Sequence, residues 1–147
     1  MWRYAPTSAS AREAHAAGEL AAWSQEYLRG EGGNLGVANP LSVRKDDVYV
    51  LAEIRLEDVN EISGPDEQYD WPIDPDQFES NVTAMMRALM DGWDPPPLFV
   101  HAPTLRLVDG NHRREALLRV GRTVYWAVMW QSRPPLNGRG QAVSLDD

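Results

Sequence analysis

A chain of 147 residues with 43% hydrophobic composition is long enough to bury a real core and too apolar to be a disordered polymer. The absence of cysteine excludes disulfides, thiolate chemistry and cysteine-based zinc sites. A net charge of -8 argues against a protein held to nucleic acid chiefly through phosphates, because that mode needs a basic face. The charge is unevenly placed. Residues 53–79 hold ten acidic side chains and one basic one, Arg55, whereas residues 105–140 hold seven arginines and two acids. The C-terminal third is therefore a basic region on an acidic protein, which suits an anion site of limited size. The start, Met1-Trp2-Arg3-Tyr4, lacks the apolar stretch of a signal peptide, and the apolar run 125–130 is too short to cross a bilayer. The expectation is a cytoplasmic protein with no membrane contact.

Ser8 to Leu28 reads as one helix, with Leu20, Trp23, Tyr27 and Leu28 on a single apolar stripe. Gly18 weakens its middle, and Gly30 suits the position just past its end. Residues 30–47 form a polar, glycine-rich linker. Its glycines lack the Gly-Lys-Ser/Thr ending of a phosphate loop. Val48 to Leu56 has the pattern of a strand, apolar at first and then alternating. Glu57 to Trp71 reads as an acidic loop broken at Gly64-Pro65. A helix then opens with Asp74 as N-cap, Pro75 at the first helical position and Gln77 at the third. Phe78, Val82, Met85, Met86 and Leu89 are its inward stripe, and Gly92 closes it. Methionine at that spacing is core packing.

Asp94-Pro95-Pro96-Pro97 forces an extended entry into a strand at 98–100. A turn at 102–104 leads to a second strand, 105–108. After Asp109-Gly110-Asn111 comes a short helix from about His112 to Val120, with Ala116, Leu117 and Val120 inward and Gly121 at its end. A last strand spans 123–130, and residues 131–147 read as a loose tail. His15, His101 and His112 lie too far apart in sequence to suggest a transition-metal site.

The chemistry concentrates where the strand ending at Val108 gives way to its helix. Gly110 allows a backbone conformation that a Cβ hinders. The first amides of the helix have no internal acceptor, and the helix dipole adds partial positive charge, so the corner is an anion site in waiting. Asn111, His112, Arg113 and Arg114 add donors there, and Asp109 can orient an arginine or histidine or reach a magnesium ion through water. The blander reading is an ordinary N-capped helix after a glycine turn.

In order, these elements resemble the ParB/sulfiredoxin superfamily domain over about residues 48–130. The most specific pieces are Pro96-Pro97-Leu98-Phe99-Val100 and Leu107-Val108-Asp109-Gly110-Asn111-His112-Arg113-Arg114-Glu115-Ala116-Leu117. The resemblance implies an α/β (α+β) fold: a small mixed sheet with flanking helices. To this the chain adds an N-terminal helix and linker (1–47) and a flexible tail (131–147). It also implies a nucleotide whose phosphates lie on Gly110, Asn111, His112, Arg113 and Arg114. Asn111 stands where sulfiredoxins need their cysteine, so sulfinic-acid reduction is excluded. Residues 131–147 cannot supply the DNA-binding and dimerisation regions of partition proteins. Asp109-Gly110-Asn111-His112-Arg113 is nearest the corresponding turn of the small ParB-like kinases.

That resemblance implies ATP or ADP, with CTP as the alternative, and Mg2+. The implied reaction is phosphoryl transfer to a small hydroxylated acceptor. Asp109 and His112 are the catalytic candidates at the turn. Glu61 and Glu67 are the candidate bases from the acidic loop, since transfer to a hydroxyl needs one near the phosphate. No residue set is assigned as a metal site. A nucleotide-dependent switch without turnover is the alternative, and a homodimer is compatible with it. A ParB-like nuclease or DNA binder is the third reading, and the acidic total disfavours it.

Overall fold

Gly18 decides how the N-terminal region folds. In the computed structural model, which describes residues 5–29, 48–61, 63–64, 71–72 and 74–131, two helices stand where the apolar stripe predicts one. They are α1 (Ser8–Ala16) and α2 (Leu20–Arg29). Gly18 has φ 73, a left-handed value that ends α1 and turns the chain into α2. At the other end of α1, the Thr7 hydroxyl accepts from the Ser10 amide at 3.1 Å. The linker expected at 30–47 and the tail expected at 132–147 lie outside the described residues.

The remaining elements are β1 (Val48–Arg55), a 3-10 turn (Leu56–Asp58), β2 (Asn60–Glu61), β3 (Ser63–Gly64) and β4 (Trp71–Pro72). They are followed by α3 (Pro75–Met90), β5 (Leu98–His101), β6 (Arg106–Asp109), α4 (Asn111–Arg119) and β7 (Val124–Gln131). The region expected as an acidic loop thus contains short strands, too brief to show a period in sequence. The main sheet has the order β1-β7-β5-β6-β2, and β3 pairs with β4 apart from it. Neighbours alternate in sense: β1 with β7 and β5 with β6 are antiparallel, whereas β5 with β7 and β2 with β6 are parallel. The fold is α+β with a mixed sheet, as the sequence suggests.

Strand alternation sends side chains to two faces. Phe99 of β5 and Val128 and Trp130 of β7 pack with Trp23, Tyr27 and Leu28 of α2. Tyr27 and Phe99 stack with ring centres 5.7 Å apart and planes 2° from parallel. On the opposite face, Leu98, Val100, Leu107 and Ala127 pack with Leu117 of α4. Phe78 and Val82 of α3 then cover Ala116 of α4. The α1–α2 pair is therefore a layer of the same core as the sheet. The α3 start follows its sequence pattern, with the Asp74 carboxylate accepting from the Gln77 amide at 2.9 Å. Among the described residues no helix is long and apolar enough to cross a membrane.

Candidate functional site

Strand β6 ends at Asp109, and Gly110 turns the chain into α4 with φ 112 and ψ 22. The position demands glycine twice over. Its φ suits residues without a Cβ, and a Cβ would stand 2.6 Å from Leu98 Cδ2 and 3.0 Å from Arg113 Nη2. The first helical bond runs from the Arg114 amide to the Gly110 carbonyl at 2.8 Å. No side chain among the described residues caps the helix. The amides of Asn111, His112 and Arg113 therefore begin α4 without intrahelical acceptors.

Two half-buried polar side chains of this turn each carry a buried atom with no hydrogen-bond partner among the described residues, as does the buried Arg113 at its Nε. On the two half-buried side chains these atoms are Asn111 Oδ1 and His112 Nε2, both shielded from solvent and meeting no donor or acceptor among the described residues. The His112 ring lies against Phe78 of α3, 5.1 Å between centres. Burial, and then the positive charge of Arg113, lower its pKa from the usual imidazole value, with Asp109 opposing. At neutral pH the ring is an uncharged donor or acceptor. Buried polar atoms are normally paired, so each orphan calls for a partner that the described residues do not provide.

Arg113 does something different from what the sequence suggests. Its guanidinium is turned into the protein. Nη1 donates to the Tyr27 hydroxyl at 3.0 Å, and Nη2 donates to the Pro97 carbonyl at 3.0 Å and to the Asp109 carboxylate at 3.2 Å. Its charge also lies over the Tyr27 ring, 5.6 Å from the centre. Burial opposes the charged form, and Asp109 together with Tyr27 and Tyr125 more than offsets it, so the pKa is raised. Burial, with Arg113 opposing, raises that of Tyr27. Arg114 is likewise engaged, its Nε donating to the Leu56 carbonyl at 2.8 Å. The expected imidazole and guanidinium at one mouth are not brought together. His112 leaves α4 towards α3, and Arg113 leaves it towards α2. Asp109 is the counter-ion of Arg113, with a side chain 15% exposed.

Of the two candidate bases, Glu61 lies in β2, opposite Leu107 in a parallel pair with β6. Glu61 is thus paired two residues ahead of Asp109 along β6. Glu67 lies outside the described residues. No group of three or more His, Asp and Glu able to hold a metal occurs among the described residues. Sequence reasoning placed Tyr27 in the core and missed its hydroxyl's bond to Arg113. The contact joins residues 86 positions apart, and no local pattern announces it.

No family model and no curated protein matches this chain. Among solved structures it is similar to one described as the C2221 form of a Pnob8-like ParB-N domain. Identity is 14% and the TM-score 0.41, over 57% of this chain and 30% of that one. The chain thus spans under a third of the length of the solved chain it matches. The similarity is one of fold over part of the chain, and nothing about the site rests on it.

Proposed function

We propose that the N-terminus of α4 binds the phosphates of a nucleotide, ATP or ADP in the first instance. The observation that carries this reading is the orphaned pair, Asn111 Oδ1 and His112 Nε2, beside three uncapped amides. Amides and dipole favour an anion there. A neutral His112 can donate to a phosphate oxygen, and Asn111 Oδ1 can accept from a protonated phosphate, a ribose hydroxyl or an ion-bound water. Asp109 and Arg113 then act as framework: they fix the helix start and the glycine turn.

In this reading the reaction is phosphoryl transfer to a small hydroxylated molecule. Glu61 is the candidate base, because its strand runs parallel to β6 and pairs it with Leu107, two residues ahead of Asp109. Because no ready cluster of metal ligands accompanies the turn among the described residues, no step is assigned to Mg2+. A second reading, a nucleotide-dependent switch without turnover, is favoured by the bond from Arg113 to Tyr27. Through it, the first turn of α4 touches α2 directly.

The test is a thermal-shift panel of ATP, ADP, CTP and GTP with magnesium. It is run on the wild type, Asn111→Ala and His112→Ala. A shift for one nucleotide that both substitutions abolish supports the site. Absence of any shift, or a shift indifferent to both substitutions, refutes it. Phosphate release with a panel of hydroxylated acceptors then separates enzyme from switch.

A further inference from the structure

A cavity of about 380 Å³ lies between α1, the 92–95 segment and the strands β1 and β7, and its walls include Arg12, Glu53, Trp93, Asp94, Arg122 and Trp126. None of the residues of the α4 turn lines it. Several of its polar groups are already committed to the protein. The Asp94 carboxylate accepts from the Ser8 hydroxyl, from the Ala9 amide at 3.0 Å and from the Tyr125 hydroxyl at 3.1 Å. Burial pushes the Asp94 pKa up, but those bonds and the nearby Arg12 charge outweigh it and hold the group ionised. The Tyr125 phenol is pushed up to about 12, chiefly by burial, so it remains a donor. Asp94 and Tyr125, whose hydroxyl also lies 2.7 Å from the Pro95 carbonyl, thus tie α1 to the sheet and serve the fold.

The two arginines differ from Asp94. The Arg12 guanidinium lies over the Trp126 ring, 5.3 Å from its centre, and among the described residues its hydrogen bond is made by Nε, 3.4 Å from the Ser8 carbonyl. Stacking holds the fork in place while its terminal nitrogens meet no acceptor among the described residues. A pre-ordered guanidinium loses less freedom on binding than a solvated one. Arg122 is exposed and makes no ion pair among the described residues. Glu53 sits across from Trp126 in the β1–β7 register, on the rim, and is exposed. Two forks with open N–H groups, an indole wall and a rim carboxylate define a narrow class of ligand.

We propose that this cavity is a second binding site, for a small organic monoanion with an aromatic or apolar body. Its carboxylate is held by Arg12 and Arg122, and its body lies against Trp93 and Trp126. Glu53 repels a second negative charge and so sets the limit at one. The site is independent of phosphate binding at α4.

The experiment is isothermal titration of the full chain with 3-phenylpropanoate, 3-phenylpropanol and phenethylamine. The acid is expected to bind saturably, with the alcohol and the amine at least about tenfold weaker, the scale of a charge-assisted pair. Arg12→Gln and Arg122→Gln are each expected to weaken the acid about tenfold, and Glu53→Gln to tighten it about twofold, as an exposed charge should. All three side chains are exposed, so the variants keep the fold, and circular dichroism verifies that. Four results overturn the site: no heat with the acid up to millimolar concentration, equal binding of the alcohol or amine, indifference to both arginine substitutions, or weaker binding in Glu53→Gln.

Discussion

Arg113→Ala separates a structural arginine from a ligand arginine. The substitution strips the Tyr27 hydroxyl and the Pro97 carbonyl of their donor and leaves the Asp109 carboxylate without its counter-ion. Removing one partner of a buried pair costs about 3–5 kcal/mol. Here the two side chains are 8% and 15% exposed, so solvent screens the stranded carboxylate little, and about 3 kcal/mol is expected. With a urea slope near 2 kcal/mol/M, the unfolding midpoint should fall by about 1.5 M. The paired change Arg113→Met with Asp109→Asn should recover most of that loss, because it strands no charge and keeps the volume. Urea titrations followed by circular dichroism measure both. The reasoning fails if Arg113→Ala moves the midpoint by less than about 0.3 M yet abolishes a nucleotide-induced thermal shift. The guanidinium would then be a ligand group.

Gly110→Ala combines a left-handed backbone with a Cβ 2.6 Å from Leu98, and should destabilise by about 2–5 kcal/mol in the same titration. A loss under about 1 kcal/mol would mean the turn is looser than described. Tyr27→Phe leaves Arg113 Nη1 without its acceptor and should cost about 1–3 kcal/mol, although it deletes a single oxygen. The lowered pKa of His112 predicts a pH dependence with a definite sign. The unfolded chain takes up the proton more readily than the folded one. Stability should therefore fall as pH drops below the ordinary imidazole value, near about 6.5, towards the lower folded value. Urea midpoints measured across that window should slope in the wild type and flatten in His112→Gln; identical slopes would discard the assignment. Asp74→Ala, which removes the N-cap of α3, should cost about 1 kcal/mol and leave any nucleotide shift intact.

What the sequence made legible was local. The α3 start rests on Asp74, Pro75 and Gln77, three adjacent choices that agree, and it folds as they imply. The Gly110 turn and the helix after it are equally local. Gly18 was visible as a weakness but not as a break, because a glycine inside an apolar stripe fits both. The role of Arg113 was not legible. An arginine beside a glycine turn reads as a phosphate donor until Tyr27, from the other end of the chain, accepts its hydrogen bond. The cavity beside α1 was hidden for the same reason: Arg12, Glu53, Asp94 and Arg122 come from four separate segments that only the sheet order assembles.

The layer formed by α1 and α2 sets where this chain can be shortened. Phe99, Val128 and Trp130 have their cover in Trp23, Tyr27 and Leu28. Cutting the chain ahead of residue 48 would uncover a broad aromatic surface and unseat Arg113 in one stroke. The product should be a sticky, aggregating fragment rather than a smaller functional unit.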